Sequence, residues 1–141
     1  MIRRPPRSTQ SRSSAASDVY KRQGGPWEAK IGYSRAVRVG QSVQVSGTTA
    51  MTATGLVGKG DPYAQTIQAL KTIEAALAQP RASMGAGGRA RIDMANIELV
   101  QEVGRAHGEV FGPIRRENTR AVVNRMIDPD VLIDMYAGAM V

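Results

Sequence analysis

From residue 24 onward the chain shifts between two hydrophobic periods. Over residues 30–39, Ile31, Tyr33, Val37 and Val39 fall at alternate positions, with Arg35 as the exception. Period two predicts a half-buried strand. Gly40-Gln41 reads as a short turn. Residues 42–47 continue the alternation, with Val43 and Val45 on one side and Ser42, Gln44 and Ser46 on the other. The two segments together predict a β-hairpin. Residues 51–60 (MTATGLVGKG) read as a glycine-bearing loop.

The period then changes to helical. Asp61 is a ready acceptor for free N–H groups, and Pro62 suits the first helical position, where its missing N–H costs nothing. Tyr63, Ile67, Leu70, Ile73 and Leu77 recur at helical spacing to about Gln79, and Pro80 ends the run. Residues 81–88 are loose and glycine-rich. Over 89–94, Ala90, Ile92 and Met94 alternate with Arg89, Arg91 and Asp93, which predicts a third strand. Asn96 caps a second helix carrying Ile97, Val100, Val103 and Val110, and Gly112-Pro113 stops it. Residues 119–126 and 131–140 read as two further strands. In the last, Val131, Ile133, Met135, Ala137 and Ala139 form an unbroken apolar face.

The predicted order ββαβαββ is an α+β architecture, with two helices packed on one face of a mixed sheet. The opposite sheet face mixes polar and apolar positions. Such a face is either solvated or covered by another subunit.

The length of 141 residues suits one domain. Without cysteine, neither a disulfide framework nor a thiolate metal site can be built, and a single histidine argues against zinc. No run of 18 apolar residues is present to span a membrane. The net charge of +7 raises the question of nucleic acid. Its distribution answers it: residues 1–23 hold Arg3, Arg4, Arg7, Arg12, Lys21 and Arg22 against Asp18 alone, whereas the remainder has 13 basic and 11 acidic residues. Residues 1–23 lack the apolar stretch of a secretory signal, and their composition predicts disorder. This string resembles translated sequencing-adaptor read-through found at the start of proteins from metagenomic assemblies. It is therefore expected to be a non-native tail, with the domain at 24–141, native N-terminal residues missing, and the cytoplasm as the compartment.

Several stretches of the domain resemble the RidA (YjgF-type) family of imine/enamine deaminases. They are KIGYSRAVRVGQSVQVSGTTA at 30–50, DPYAQTIQALKTIEAALAQ at 61–79, EVGRAHGEVFG at 102–112 and MIDPDVLIDMYAGAMV at 126–141. They are collinear with the family's opening hairpin, two helices and closing strand. The resemblance implies a chorismate-mutase-like fold and a homotrimer with small-molecule clefts between subunits. It also implies hydrolysis of reactive 2-imino and enamine acids to 2-keto acids and ammonia, without metal or organic cofactor. A small carboxylate ligand is expected; membrane association is not, and nucleic acid is disfavoured by the nearly balanced domain.

The resemblance also locates a site. Tyr33 matches a site tyrosine, and Ser46 and Gly47 match cleft backbone. The family's carboxylate-binding arginine, at the start of the fourth strand, falls on Asn118. Its water-positioning glutamate falls on Tyr136, and another carboxylate of the fourth strand falls on Val122. Asn118 and Arg120 are two apart on a strand and so share a face, roughly 6–7 Å from each other. The expected ligand-binding set is Tyr33, Ser46, Gly47, Asn118 and Arg120. Arg120 is the candidate to replace the lost anchor, the alternative being a trimer-interface or solvated charge. Tyr136 and Arg120 are the catalytic candidates, the alternative for Tyr136 being a packing role. The alternative is a non-catalytic member that binds a small metabolite.

Other candidates are weak. His107 in GRAHGE pairs by spacing with no base or nucleophile. GLVGKGD and GAGG lack the order of a phosphate-binding loop. Gly87-Gly88 predicts a soft start to the third strand. Arg115-Arg116 reads as a solvated loop.

Overall fold

The computed structural model describes residues 17–20, 28–78, 80–82, 88–114 and 117–141. Two helices, α1 (Pro62–Ala78) and α2 (Val100–Phe111), lie against one face of a six-stranded sheet. The sheet strands are β1 (Ser17–Tyr20), β2 (Ala36–Val39), β3 (Ser42–Thr48), β6 (Gly88–Met94), β7 (Glu117–Val122) and β8 (Ile133–Met140). They are ordered β1-β2-β3-β8-β6-β7. Only β6 and β7 run parallel, because α2 carries the chain back between them; all other neighbours are antiparallel. Two short strands, β4 (Met51–Thr52) and β5 (Gly55–Leu56), pair within the glycine-bearing loop. The α+β architecture with its mixed sheet is the one the residue pattern predicts.

Period two sets the faces. Val43, Val45, Ala90, Ile92, Met94, Ile133, Met135, Ala137 and Ala139 are buried under the helices. Leu70, Ile73, Leu77, Val103 and Phe111 meet them from the helix side. Burial of each of the Val, Leu, Ile, Met and Phe side chains contributes about 1.5–3 kcal/mol.

Asp61 caps α1 as expected, its Oδ1 accepting from the Ala64 N–H at 3.0 Å. The buried stripe of α1 differs from the expected one: it includes Thr66, Ala69 and Ala76, and above all Gln65, which is fully buried. Gln65 donates to the carbonyls of Gly58 and Asp130 and accepts from the Leu132 N–H. A polar residue enters the core here because three loop backbone groups need a partner.

Several expected boundaries shift. Residues Glu28–Gly32 form a π-helical turn rather than strand, and Gly32 has φ +89°, which no extended strand permits. Ile31 is consequently exposed. Asn96 does cap, but over a 3-10 turn at Ile97–Leu99 that leads into α2, and this turns Ile97 out to solvent. The fourth strand of the prediction spans Glu117–Val122 and the last Ile133–Met140, although Val131 is still buried.

The third strand starts at a tight approach. A Cβ on Gly88, whose φ is +114°, would lie 2.0 Å from the Gly138 carbonyl oxygen. Within the segment expected to be disordered, Ser17–Tyr20 forms a strand on β2. The free edge of β2 offers backbone donors and acceptors to any extended segment, whatever its composition. The rest of residues 1–23, together with Gly87, Arg115 and Arg116, lies outside the described residues. Among the described residues, no helix is long and apolar enough to cross a membrane.

Candidate functional site

The open face of the sheet, away from the helices, carries a polar row centred on Tyr136. On β8, Val45 and Thr48 of β3 pair with Ala137 and Met135. Two β3 residues, Ser46 and Gly47, therefore oppose the single residue Tyr136: a β-bulge. On its other side Tyr136 pairs with Arg91 of β6, and Arg91 with Thr119 of β7. The next row pairs Asp134 with Asp93.

The bulge is held by side chains. The Ser46 hydroxyl donates to the Ser34 carbonyl at 2.6 Å, and the Ser46 N–H to the Arg35 carbonyl at 2.9 Å. Arg35 is 7% exposed. Its Nη1 donates to the Gly47 carbonyl at 2.7 Å and to Thr48 Oγ1 at 3.0 Å. The Arg35 guanidinium also lies 5.9 Å from the ring centre of Tyr33, a cation–π approach that ties Tyr33 to the bulge. Arg35, the exception in the alternating pattern, is thus the buried cation that shapes the turn.

Acids complete the face. Asp134 sits against the bulge: a Cβ on Gly47 would stand 3.0 Å from Asp134 Oδ1. Oδ1 is shielded from solvent and accepts no hydrogen bond among the described residues. Burial pushes the Asp134 carboxyl up from the usual range, and the neighbouring Asp93 adds to the rise; Arg35 and the amides of Met135 and Thr48 oppose it. The Asp93 carboxylate accepts from Arg91 Nε at 3.0 Å. The Tyr136 phenol is also pushed up, first by burial and then by the charges of Asp134 and Asp93, with Arg91 opposing. It stays neutral near pH 7 and has a proton to donate, which it shares with the Asp93 side chain.

The expected site residues divide into two groups. Ser46, Gly47 and Tyr136 come together across β3 and β8, and Tyr33 lies beside Arg35, which bonds the bulge. Asn118 and Arg120 do share a face, but it is the helix face of β7, since they pair with the inward-facing Ala90 and Ile92. Asn118 Nδ2 donates to the Ala90 carbonyl at 3.3 Å, and Arg120 Nη1 lies 3.3 Å from where a Gly104 Cβ would be. Thr119 is the β7 residue in the Tyr136 row. Val122 is exposed on the Arg120 side of the strand. His107 packs its ring 4.7 Å from that of Phe111 in α2, away from this face.

Residue pattern alone missed Arg35, Arg91, Asp93 and Asp134. The signal for Arg35 was its break in the alternation; the others read as ordinary outward positions. No group of three or more His, Cys, Asp or Glu residues able to hold a metal occurs among the described residues.

A two-helix layer on a mixed, bulged sheet puts the chain among α+β proteins, and comparison with known proteins identifies the family. The model of the family described as Endoribonuclease L-PSP matches residues 26–141. An uncharacterized protein of Streptomyces coelicolor is 40% identical over 121 residues, covering 83% of this chain and 90% of its own. The crystal structure of a Mycobacterium tuberculosis member of the YjgF/YER057c/UK114 family superposes with a TM-score of 0.80 at 38% identity, covering 89% of this chain and 99% of that one. A Yersinia pestis protein of unknown function from the conserved Rid family gives a TM-score of 0.79 at 26% identity, covering 89% and 100%. The chain belongs to the Endoribonuclease L-PSP family, also known as the YjgF/Rid family.

Proposed function

We propose that this chain hydrolyses reactive 2-imino acids and their enamine tautomers to 2-keto acids and ammonia. It does so as a cytoplasmic homotrimer whose subunit clefts take the substrate. Water adds to the C=N carbon, protons pass to nitrogen, and the C–N bond breaks to release ammonia. The protein's own groups suffice for this chemistry, with no cofactor. The observation that carries the reading is the Ser46–Gly47 bulge opposite Tyr136, which gathers backbone polar groups, a neutral phenol and the Asp134 carboxyl on one sheet face.

In this reading Tyr33, Ser46 and Gly47 line the ligand and Tyr136 donates a hydrogen bond to it. Asn118 and Arg120 face the helices of their own chain, so they meet this ligand only from a neighbouring subunit. That same placement favours a second reading, in which the cleft binds a small carboxylate metabolite without turning it over. RNA cleavage, which the family description names, is disfavoured by the 13 basic against 11 acidic residues of the domain.

The deciding experiment generates imines in place from several L-amino acids with an amino-acid oxidase. Their decay is followed with and without the protein. Faster decay supports the hydrolase; unchanged decay of every imine, with a folded trimer, leaves the binding reading.

A further inference from the structure

We propose that Arg91 is the group that holds the carboxylate of the ligand on the open sheet face. This rests on the proposed activity, and it names the anchor of that same site.

Placement is the first argument. Arg91 is the direct cross-strand partner of Tyr136, so its side chain leaves the sheet on the same face, with Cβ atoms about 4.5–5.5 Å apart. The bulge lies on the other flank of Tyr136. Bulge, phenol and guanidinium thus form one row across β3, β8 and β6. A small 2-imino acid lying over Tyr136 can turn its nitrogen toward the bulge and its carboxylate toward Arg91.

The second argument is what each arginine already does. Arg35 is buried and its Nη1 donates to Gly47 and Thr48. Arg89 lies in the row of Gly138 and pairs with Glu117 at 3.2 Å. Arg120 lies over Gly104 on the other face. Arg91 combines the right row, the right face and a side chain that is 53% exposed. Its Nε donates to Asp93 Oδ1, and Asp93 has 10% side-chain exposure. That bond fixes the stem and leaves the Nη side of the guanidinium for a second acceptor. A planar guanidinium held by one carboxylate can present two parallel N–H groups to another. The neutral phenol of Tyr136, hydrogen-bonded to Asp93 in the free chain, turns its proton to the ligand without repelling its charge.

The test measures two things on the full chain: binding of 2-oxobutanoate by calorimetry, and hydrolysis of two imines. One imine carries a carboxylate and is made by an amino-acid oxidase. The other lacks it and is made from benzylamine by an amine oxidase. Arg91→Ala is expected to weaken 2-oxobutanoate at least tenfold and to raise KM for the carboxylate imine similarly, while sparing the benzylamine-derived imine; Arg91→Lys recovers part of the binding. Unchanged binding in Arg91→Ala, or equal loss for both imines, overturns the proposal. Loss in Arg120→Ala but not in Arg91→Ala assigns the anchor to Arg120 instead. A wild-type protein that binds 2-oxobutanoate through Arg91 but hydrolyses neither imine overturns the hydrolase reading and leaves the anchor standing. A wild-type protein that neither binds nor hydrolyses overturns both.

Discussion

The carboxylate of Asp134 crowds the position in which a side chain on Gly47 would stand. An added Cβ would lie 3.0 Å from Oδ1 and 3.1 Å from Oδ2. A side chain at residue 47 therefore fits only if the Asp134 carboxylate gives way slightly, and this contact links the bulge to the acid beside it.

Gly47→Ala is expected to destabilise the fold by about 1–3 kcal/mol through overpacking. Asp134→Ala alone removes the carboxylate, and the double variant should be less destabilised than the two single effects summed. Urea unfolding of the four proteins measures this coupling. Simple additivity would mean that the two residues do not share the space.

The raised carboxyl of Asp134 gives a pH dependence with a definite sign. Its folded pKa lies above the ordinary value of 3.8, so between the two the folded chain holds more protons than the unfolded one. Stability then falls as pH rises through that window. Asp134→Asn, which cannot ionise, should lose this contribution to the slope. Urea midpoints measured from pH 4 upward for the wild type and the variant provide the check; parallel profiles would refute the assignment.

Gln65 is the polar hub of the core. Its amide bonds Gly58, Asp130 and Leu132 at 3.1, 3.0 and 2.9 Å. Gln65→Leu keeps the volume but strands three backbone groups. A cost of about 3 kcal/mol is expected, read as a lowered urea midpoint. Hydrogen exchange should rise first at Leu132, whose N–H loses its acceptor.

Gly88→Ala should be more severe than an ordinary strand substitution. The new Cβ would meet the Gly138 carbonyl at 2.0 Å, and φ +114° is strained for any L side chain. A loss of at least about 3 kcal/mol, or failure to accumulate as folded protein, is the expected outcome. A stability within 1 kcal/mol of wild type would show that β6 does not pack there as described.

The site was partly legible for a physical reason that Asn118 and Arg120 illustrate. Two residues two apart on a strand must share a face, and they do. Which face is not a local property: it depends on the pairing of β7 with β6, and a shift of one residue exchanges the two sides. Thr119 lies in the Tyr136 row for that reason alone. Tyr33, Ser46, Gly47 and Tyr136 were singled out as candidates by collinear resemblance. Arg91, Asp93 and Asp134 were not, because on a strand a charge facing solvent and a charge facing a neighbour have the same spacing.

By itself, the sequence determined the two helices, the order ββαβαββ of the helices and the five strands β2, β3, β6, β7 and β8, the capping of α1 by Asp61 and the apolar face of each central strand. All of these follow from periods, caps and turns within a few residues of each other. Tertiary structure alone decided the strand order β1-β2-β3-β8-β6-β7, the bulge at Ser46–Gly47, the burial of Arg35 and Gln65, and the face that Arg120 takes. Each of these depends on partners distant in the chain, and a buried cation or amide is tolerated only where those partners bring the carbonyls that satisfy it.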